Sequence, residues 1–300
     1  MANSTTVSLL QGTGVALVTP FLENGQIDWD ALLQLLAFTA EGVDYWVVNG
    51  TTGESPVLSK QERKELLAFV KKNNPKNLPI VWGLGGNHTE EILAQIQDTD
   101  LSGVAAILSV SPYYNKPSQR GIYQHYVAIA DACPVPVLLY NVPGRTGSNI
   151  SATTTVQLAA HPNIIGTKDA SANFEQYTYI AKNAPADFLL ISGDDMLTVP
   201  LIAIGGKGVI SVLANVFPVL FAQMTRFALQ GDFARAAQVM YQFADLNGLL
   251  YKEGNPAGVK YVLSCLGICK PYLRLPNVIP SEELKRHLEQ TLAVMQHITV

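Results

Sequence analysis

The residues with the most chemical promise in this chain stand at the end of an apolar, β-branched run. In "IIGTKDAS", residues 164–171, Lys168 follows Ile164, Ile165, Gly166 and Thr167 and precedes Asp169 and small residues. Lysine is seldom fully buried unless it is paired. Lys168 is therefore either the first charge after a strand leaves the core or an amine placed for chemistry. An amine with the reference pKa of ~10.4 is protonated near neutral pH and is a poor nucleophile. Apolar surroundings disfavour the ammonium form. The free amine can condense with a ketone or aldehyde to a Schiff base. The protonated imine withdraws electrons, so a neighbouring carbon can lose a proton and become an enamine nucleophile. That step needs a proton carrier, and tyrosine is suited to it.

Two further stretches hold complementary groups. "YNVPGRTG", residues 140–147, offers Tyr140 as the proton carrier and Arg145 as a fork of donors for a carboxylate. "NGTTGES", residues 49–55, combines small residues, whose backbone N–H groups can approach an anion, with the hydroxyls of Thr51 and Thr52. This pair reads as a carboxylate cradle, with one hydroxyl passing a proton to Tyr140. Singly, each has a plainer explanation: a tyrosine capping a strand, a glycine-rich loop, a solvated arginine. They carry weight only if the fold gathers them on one face.

The pattern of elements predicts that it does. Apolar runs at 14–20, 45–49, 80–84, 104–110, 135–141, 164–170, 188–193 and 208–212 alternate with helical stretches. Several are apolar throughout, as suits parallel strands covered on both faces. Helix starts are marked by Asp28, by Ser59 with Glu62 as a capping box, and by Ser118, Ser151 and Asn173. Eight strand candidates, each followed by a helix, the eighth at 217–229, predict an α/β fold of the (β/α)8 TIM-barrel type over residues 1–230. An open doubly wound sheet is the alternative, but no GxGxxG follows the first strand. After residue 230 the strands stop, and residues 231–300 read as a small C-terminal helical domain. In such a barrel the strand ends form the active face. They bring together 49–55, "SPYYNKPS" (111–118), 140–147, Lys168, "GDD" (193–195) and Ile210.

Composition narrows the function. The 300 residues are 48% hydrophobic and only 15% charged, with a net charge of −4, so much of the chain must pack inside and nothing draws it to nucleic acid. No apolar run reaches the ~18 residues of a membrane span, and the N-terminus lacks the pattern of a signal peptide. A soluble cytoplasmic protein is expected. Cys133, Cys265 and Cys269 show no zinc or redox spacing, the five histidines are scattered, and no metal or organic cofactor is expected.

The order "GTTGE", "YYNKPS", "YNVPGRTG", "GTKDAS", "SGDD", "GVISV" resembles the class I aldolase family of N-acetylneuraminate lyase and dihydrodipicolinate synthase, from about Gly14 through the C-terminal helices. The resemblance implies a (β/α)8 barrel whose Lys168 forms a Schiff base with pyruvate and whose Tyr140 donates and accepts the proton. It further implies a relay through Thr51 to Tyr114, which reaches across a subunit interface, in a homo-oligomer that is usually a tetramer. Thr52, Gly193 and Ile210 would hold pyruvate, and Arg145 the carboxylate of the aldehyde substrate. Arg145 and the Thr-Thr pair favour the branch that condenses pyruvate with L-aspartate 4-semialdehyde in lysine and diaminopimelate biosynthesis. A lyase of N-acetylneuraminate or a 2-keto-3-deoxy sugar acid is the alternative within the family. A catalytically silent keto-acid-binding protein is the alternative of another class. Asn87, Glu91 and Tyr113 match positions that commonly contact an L-lysine effector. Lys60 and Arg63 stand where lysine-sensitive enzymes often carry histidines, and two added cations imply weak or absent inhibition.

Overall fold

The computed structural model describes residues 2–296. Eight parallel strands close into a barrel in chain order: β1 (Gly12–Ala16), β2 (Tyr45–Val48), β3 (Ile80–Gly83), β4 (Ala106–Val110), β5 (Val137–Asn141), β6 (Ile164–Asp169), β7 (Leu189–Ser192) and β8 (Gly208–Ser211). β8 pairs with β1 from Gly12↔Gly208 to Val15↔Ser211, which leaves no open edge and excludes the doubly wound sheet. Seven strands fall inside their predicted runs. β1 instead begins at Gly12 and ends at Ala16, because the apolar residues after it are buried without continuing the ladder. Leu17 N–H makes the last ladder bond, to the Val47 carbonyl, and Val18 N–H leaves the ladder for Asn215 Oδ1.

The uniformly apolar strands follow from burial on both faces. Tyr45, Val47, Leu138, Leu189, Ile191 and Ile210 fill the barrel, while their neighbours Trp46, Leu139, Leu190 and Val209 pack under the helices. The predicted caps form: Asp28, Ser118, Ser151 and Asn173 each accept from a backbone N–H three residues on, and Ser59 and Glu62 make the reciprocal capping box. A helix at Ala2–Leu9 was not legible in the sequence. It brings Val7 and the adjoining Leu10 into the barrel's interior cluster. Two helices rather than one follow β5, a single turn at Pro143–Thr146 and then Ala152–Leu158.

One irregularity decides which way Lys168 faces. β5 and β6 pair Val137 with Ile164, then shift register by one residue and pair Leu138 with Gly166 and Tyr140 with Lys168. Side chains alternate along a strand, so a one-residue slip reverses the face of everything beyond it. Ile164 packs outside the barrel and Ile165 inside; after the shift Gly166 and Lys168 share the inner face with Leu138 and Tyr140. Gly166 is required by this arrangement. A Cβ there would lie 2.6 Å from the Leu189 carbonyl oxygen and 2.9 Å from Leu138 Cδ2.

Beyond β8 the chain is helical, through Pro218–Leu229, Phe233–Gln242, Ala244–Tyr251, Ala257–Cys265 and Glu282–Gln296. Its last part reaches back to the loop after β2. Lys260 Nζ lies 2.6 Å from Glu54 Oε1, both side chains being fully buried, and donates to the Tyr272 carbonyl at 2.9 Å. Arg274 forms a bidentate pair with Glu62 and donates to the carbonyls of Gly25 and Val57. Both cations lie against the ring of Phe21, at 4.1 and 4.5 Å from its centroid.

Gly166→Ala is expected to overpack the junction of β6 with its neighbours and to lower stability by about 1–3 kcal/mol. Urea denaturation checks this, and an unchanged midpoint would contradict the assigned close approach.

Candidate active site

Lys168 and Tyr140 meet because the register sets them side by side on neighbouring strands. Lys168 is 6% exposed, and its Nζ lies 4.5 Å from the centroid of the Tyr140 ring. No carboxylate approaches that nitrogen within salt-bridge distance among the described residues. Asp169, next in the chain, points to the opposite face. Its Oδ2 accepts from Asn141 Nδ2 at 3.0 Å and Gln176 Nε2 at 2.7 Å, and its Oδ1 from the Ser171 N–H at 2.8 Å. That carboxylate is committed to holding the strand ends and the helix Phe174–Asn183 together. The amine is left facing an aromatic ring and apolar strands.

Tyr140 forms part of the wall of a cleft of about 280 Å³ at the strand ends. Thr51, Tyr113 and Arg145 line the same cleft, with Leu108, Val110 and Val142 as its apolar side. Arg145 is exposed on the short helix after β5. Lys168, Thr52, Gly193 and Ile210 lie outside this wall; Lys168 reaches it through its contact with Tyr140. Ile210 is buried in the same interior cluster as Tyr140. Gly193 N–H donates to the Asp169 carbonyl at 2.8 Å, and a Cβ on it would come within 2.7 Å of Ala170 Cβ. Tyr114 is not drawn into this group. It is 89% exposed, with a left-handed backbone at φ 73°.

The threonine loop is held at three successive residues. Asn255 Nδ2 donates to Thr52 Oγ1 at 2.9 Å, Thr19 Oγ1 to the Gly53 carbonyl at 2.7 Å, and Lys260 to Glu54. The backbone N–H groups of Thr51 and Thr52 donate to no acceptor among the described residues. Unspent N–H donors in a tight turn form an anion-binding concavity. Glu54, two residues on, does not oppose an anion there, because Lys260 and the Arg274 N–H occupy its carboxylate.

The roles of several residues around the candidate site went unread in the sequence. Asp195, in "GDD", is buried and accepts from the N–H groups of Val212 and Leu213 at 3.1 and 2.8 Å. It ties the end of β7 to the segment after Ile210, and its burial pushes the carboxyl up to about 6. Lys260, on the helix Ala257–Cys265, and Asn255 and Arg274, on the segments that flank it, are more than two hundred residues from the loop they hold. Only their separation hid them: the buried lysine and the asparagine carry no local pattern.

A second cavity, of about 130 Å³, is lined by Asn87, Glu91 and Tyr113 together with Arg63 and His88. Lys60 is exposed and lies 3.9 Å from Glu91. Arg63 differs from a solvated helix-face charge. It is half-buried and donates to the carbonyls of Leu58 and Ser55 at 3.1 and 2.8 Å, which places it in the walls of both cavities.

Among the described residues no group of three or more His, Cys, Asp or Glu side chains is arranged to hold a metal ion, and no helix is long and apolar enough to cross a membrane. Cys133, Cys265 and Cys269 form no disulfide, and the first and last are buried.

Residues 9–295 match the model of the dihydrodipicolinate synthetase family. A protein of Cytophaga hutchinsonii named 4-hydroxy-tetrahydrodipicolinate synthase is 51% identical over 280 residues, which cover 93% of this chain and 94% of that one. The crystal structure of dihydrodipicolinate synthase from Aquifex aeolicus superposes with a TM-score of 0.92 at 39% identity, covering 96% of this chain and 98% of the other. The chloride-inhibited dihydrodipicolinate synthase of Acinetobacter baumannii, solved in complex with pyruvate, superposes with a TM-score of 0.93 at 37% identity, covering 96% and 99%. With the family model spanning nearly its whole length, this chain belongs to the dihydrodipicolinate synthetase family.

Proposed function

We propose that this protein is a class I aldolase-type lyase that condenses pyruvate with L-aspartate 4-semialdehyde to 4-hydroxy-tetrahydrodipicolinate, in lysine and diaminopimelate biosynthesis. The observation that carries the reading is the buried amine of Lys168, without a carboxylate partner among the described residues, set against Tyr140. Its free base attacks the ketone carbon of pyruvate, and loss of water leaves the protonated imine. Tyr140 takes a proton from the adjacent methyl carbon and returns one to the oxygen formed when that carbon attacks the aldehyde. The pyruvate carboxylate sits on the N–H groups of Thr51 and Thr52 and the Thr52 hydroxyl, between Gly193 and Ile210. Thr51, which lines the same cleft as Tyr140, carries the proton onward. The chemistry rests on side chains and backbone N–H groups of the chain and calls for no metal or organic cofactor.

In this reading Tyr114 completes the relay of a neighbouring subunit, in a cytoplasmic homotetramer built as a dimer of dimers. Its near-complete exposure in a left-handed conformation supports that role, since such backbone strain persists where function uses it. The full set of Lys168, Tyr140, Thr51 and Tyr114 speaks against a silent keto-acid-binding protein.

Arg145, on the cleft wall, takes the carboxylate of the semialdehyde and favours it over a polyol aldehyde. Arg145→Ala is expected to lower kcat/KM for the semialdehyde about 10- to 100-fold while pyruvate imine formation stays near wild type. Steady-state turnover beside imine trapping reads both. Equal losses in the two assays, or faster turnover of sugar-derived aldehydes by the wild type, would favour the sugar-acid lyase instead.

The second cavity is the candidate L-lysine effector site, and its charges argue for weak feedback. An ammonium ligand seeking Glu91 would meet Lys60 and Arg63 beside it. Micromolar L-lysine is expected to leave the steady-state rate unchanged, whereas strong inhibition at that level would overturn this assignment.

A further inference from the structure

We infer that Asn255, from the C-terminal helical part, is a positioning residue that aims the proton of the Thr52 hydroxyl at the bound keto-acid carboxylate. The inference rests on the pyruvate-binding role proposed for Thr52. A threonine hydroxyl has one O–H donor and two lone pairs, and its rotor settles toward whatever surrounds it. Asn255 Nδ2 donates into a lone pair of Thr52 Oγ1 at 2.9 Å, so that oxygen is already an acceptor. Thr52 is buried, and its O–H finds no acceptor among the described residues. The proton is therefore directed away from Asn255 and left unspent, beside the equally unspent N–H groups of Thr51 and Thr52. Three donors in one turn suit a carboxylate.

The source of the bond matters as much as the bond. Asn255 stands two residues before the helix Ala257–Cys265, which also carries Lys260. One stretch of six residues thus grips Thr52 through Asn255 and Glu54 through Lys260. The other end of the Asn255 amide, Oδ1, is buried with no partner among the described residues. A buried acceptor left unmatched costs stability, so the amide is not placed there for packing alone.

Asn255→Asp keeps the shape but replaces the donor with an acceptor, which draws the Thr52 proton onto itself. The expected result is a pyruvate KM raised about tenfold or more, with the semialdehyde KM and the urea midpoint unchanged. The decisive arm is a double-mutant cycle with Thr52→Val. If Asn255 acts through the Thr52 hydroxyl, Asn255→Asp adds nothing to the pyruvate KM in the Thr52→Val background. Additive effects, which direct repulsion of pyruvate by the new carboxylate would give, overturn the inference. Should Asn255→Asp not fold, Asn255→Ala serves in the same cycle. Its pyruvate KM must again rise in the wild-type background and not in Thr52→Val. Wild-type protein that forms no borohydride-trapped adduct with pyruvate would instead sink the functional reading itself; an adduct with a normal pyruvate KM in the Asn255 variant sinks only the inference.

Discussion

The one-residue register shift between β5 and β6 is the constraint on which the candidate site depends. With regular pairing from Val137↔Ile164 onward, Lys168 would face the helices and Asp169 the barrel. The shift at Ile165 exchanges them: the amine enters the apolar interior beside Tyr140, and the carboxylate goes outward to Asn141 and Gln176. Bulges recur where a strand must re-aim a side chain. The shift needs room, and Gly166 supplies it at a point where any Cβ would strike Leu189.

The chain buries a second lysine, and the contrast between the two is informative. Lys260 lies as deep as Lys168, but Glu54 meets it at 2.6 Å and the Tyr272 carbonyl at 2.9 Å. Burial pulls its pKa down while Glu54 pulls it up. Breaking such a pair leaves an uncompensated buried charge, so the loop after β2 is locked to the C-terminal helices. Lys168 has no such partner among the described residues. One lysine is satisfied and structural, whereas the other is held in an apolar setting beside a phenol, the setting a nucleophilic amine requires. The C-terminal helical part thus braces the candidate site. It fixes the threonine turn from outside the barrel, through Lys260 at Glu54 and Asn255 at Thr52, while β5 and β6 fix Lys168 and Tyr140 from within.

Local chemistry made much of this legible in the sequence. The eight apolar runs, the five helix caps and the strand-end position of Lys168 all follow from patterns within a few residues. Arg145, Thr51 and Tyr140 could be gathered onto one face once the barrel was inferred, and they line one cleft. What escaped was non-local. The register shift at Ile165 is a property of two strands together; Gly166, an isolated glycine inside the run, is its one local sign and does not say which way Lys168 will face. Lys260 and Asn255 act on residues 206 and 203 positions away, so no window of sequence contains both partners. Arg63 stands out in the sequence only as a cation at the effector position, and its hold on the carbonyls of Ser55 and Leu58 and its place in the wall of the Tyr140 cleft appear only in the fold. The helix at Ala2–Leu9 is weakly amphipathic, and its role appears only when Val7 and Leu10 are found inside the barrel.

The most direct measurement is reductive trapping: incubation with pyruvate and borohydride, then peptide mass spectrometry. A Schiff base on an inward-facing amine predicts a single reduced pyruvate adduct on the peptide carrying Lys168, absent from Lys168→Ala. An adduct on Lys260 or another lysine, or no adduct at all, would contradict the account.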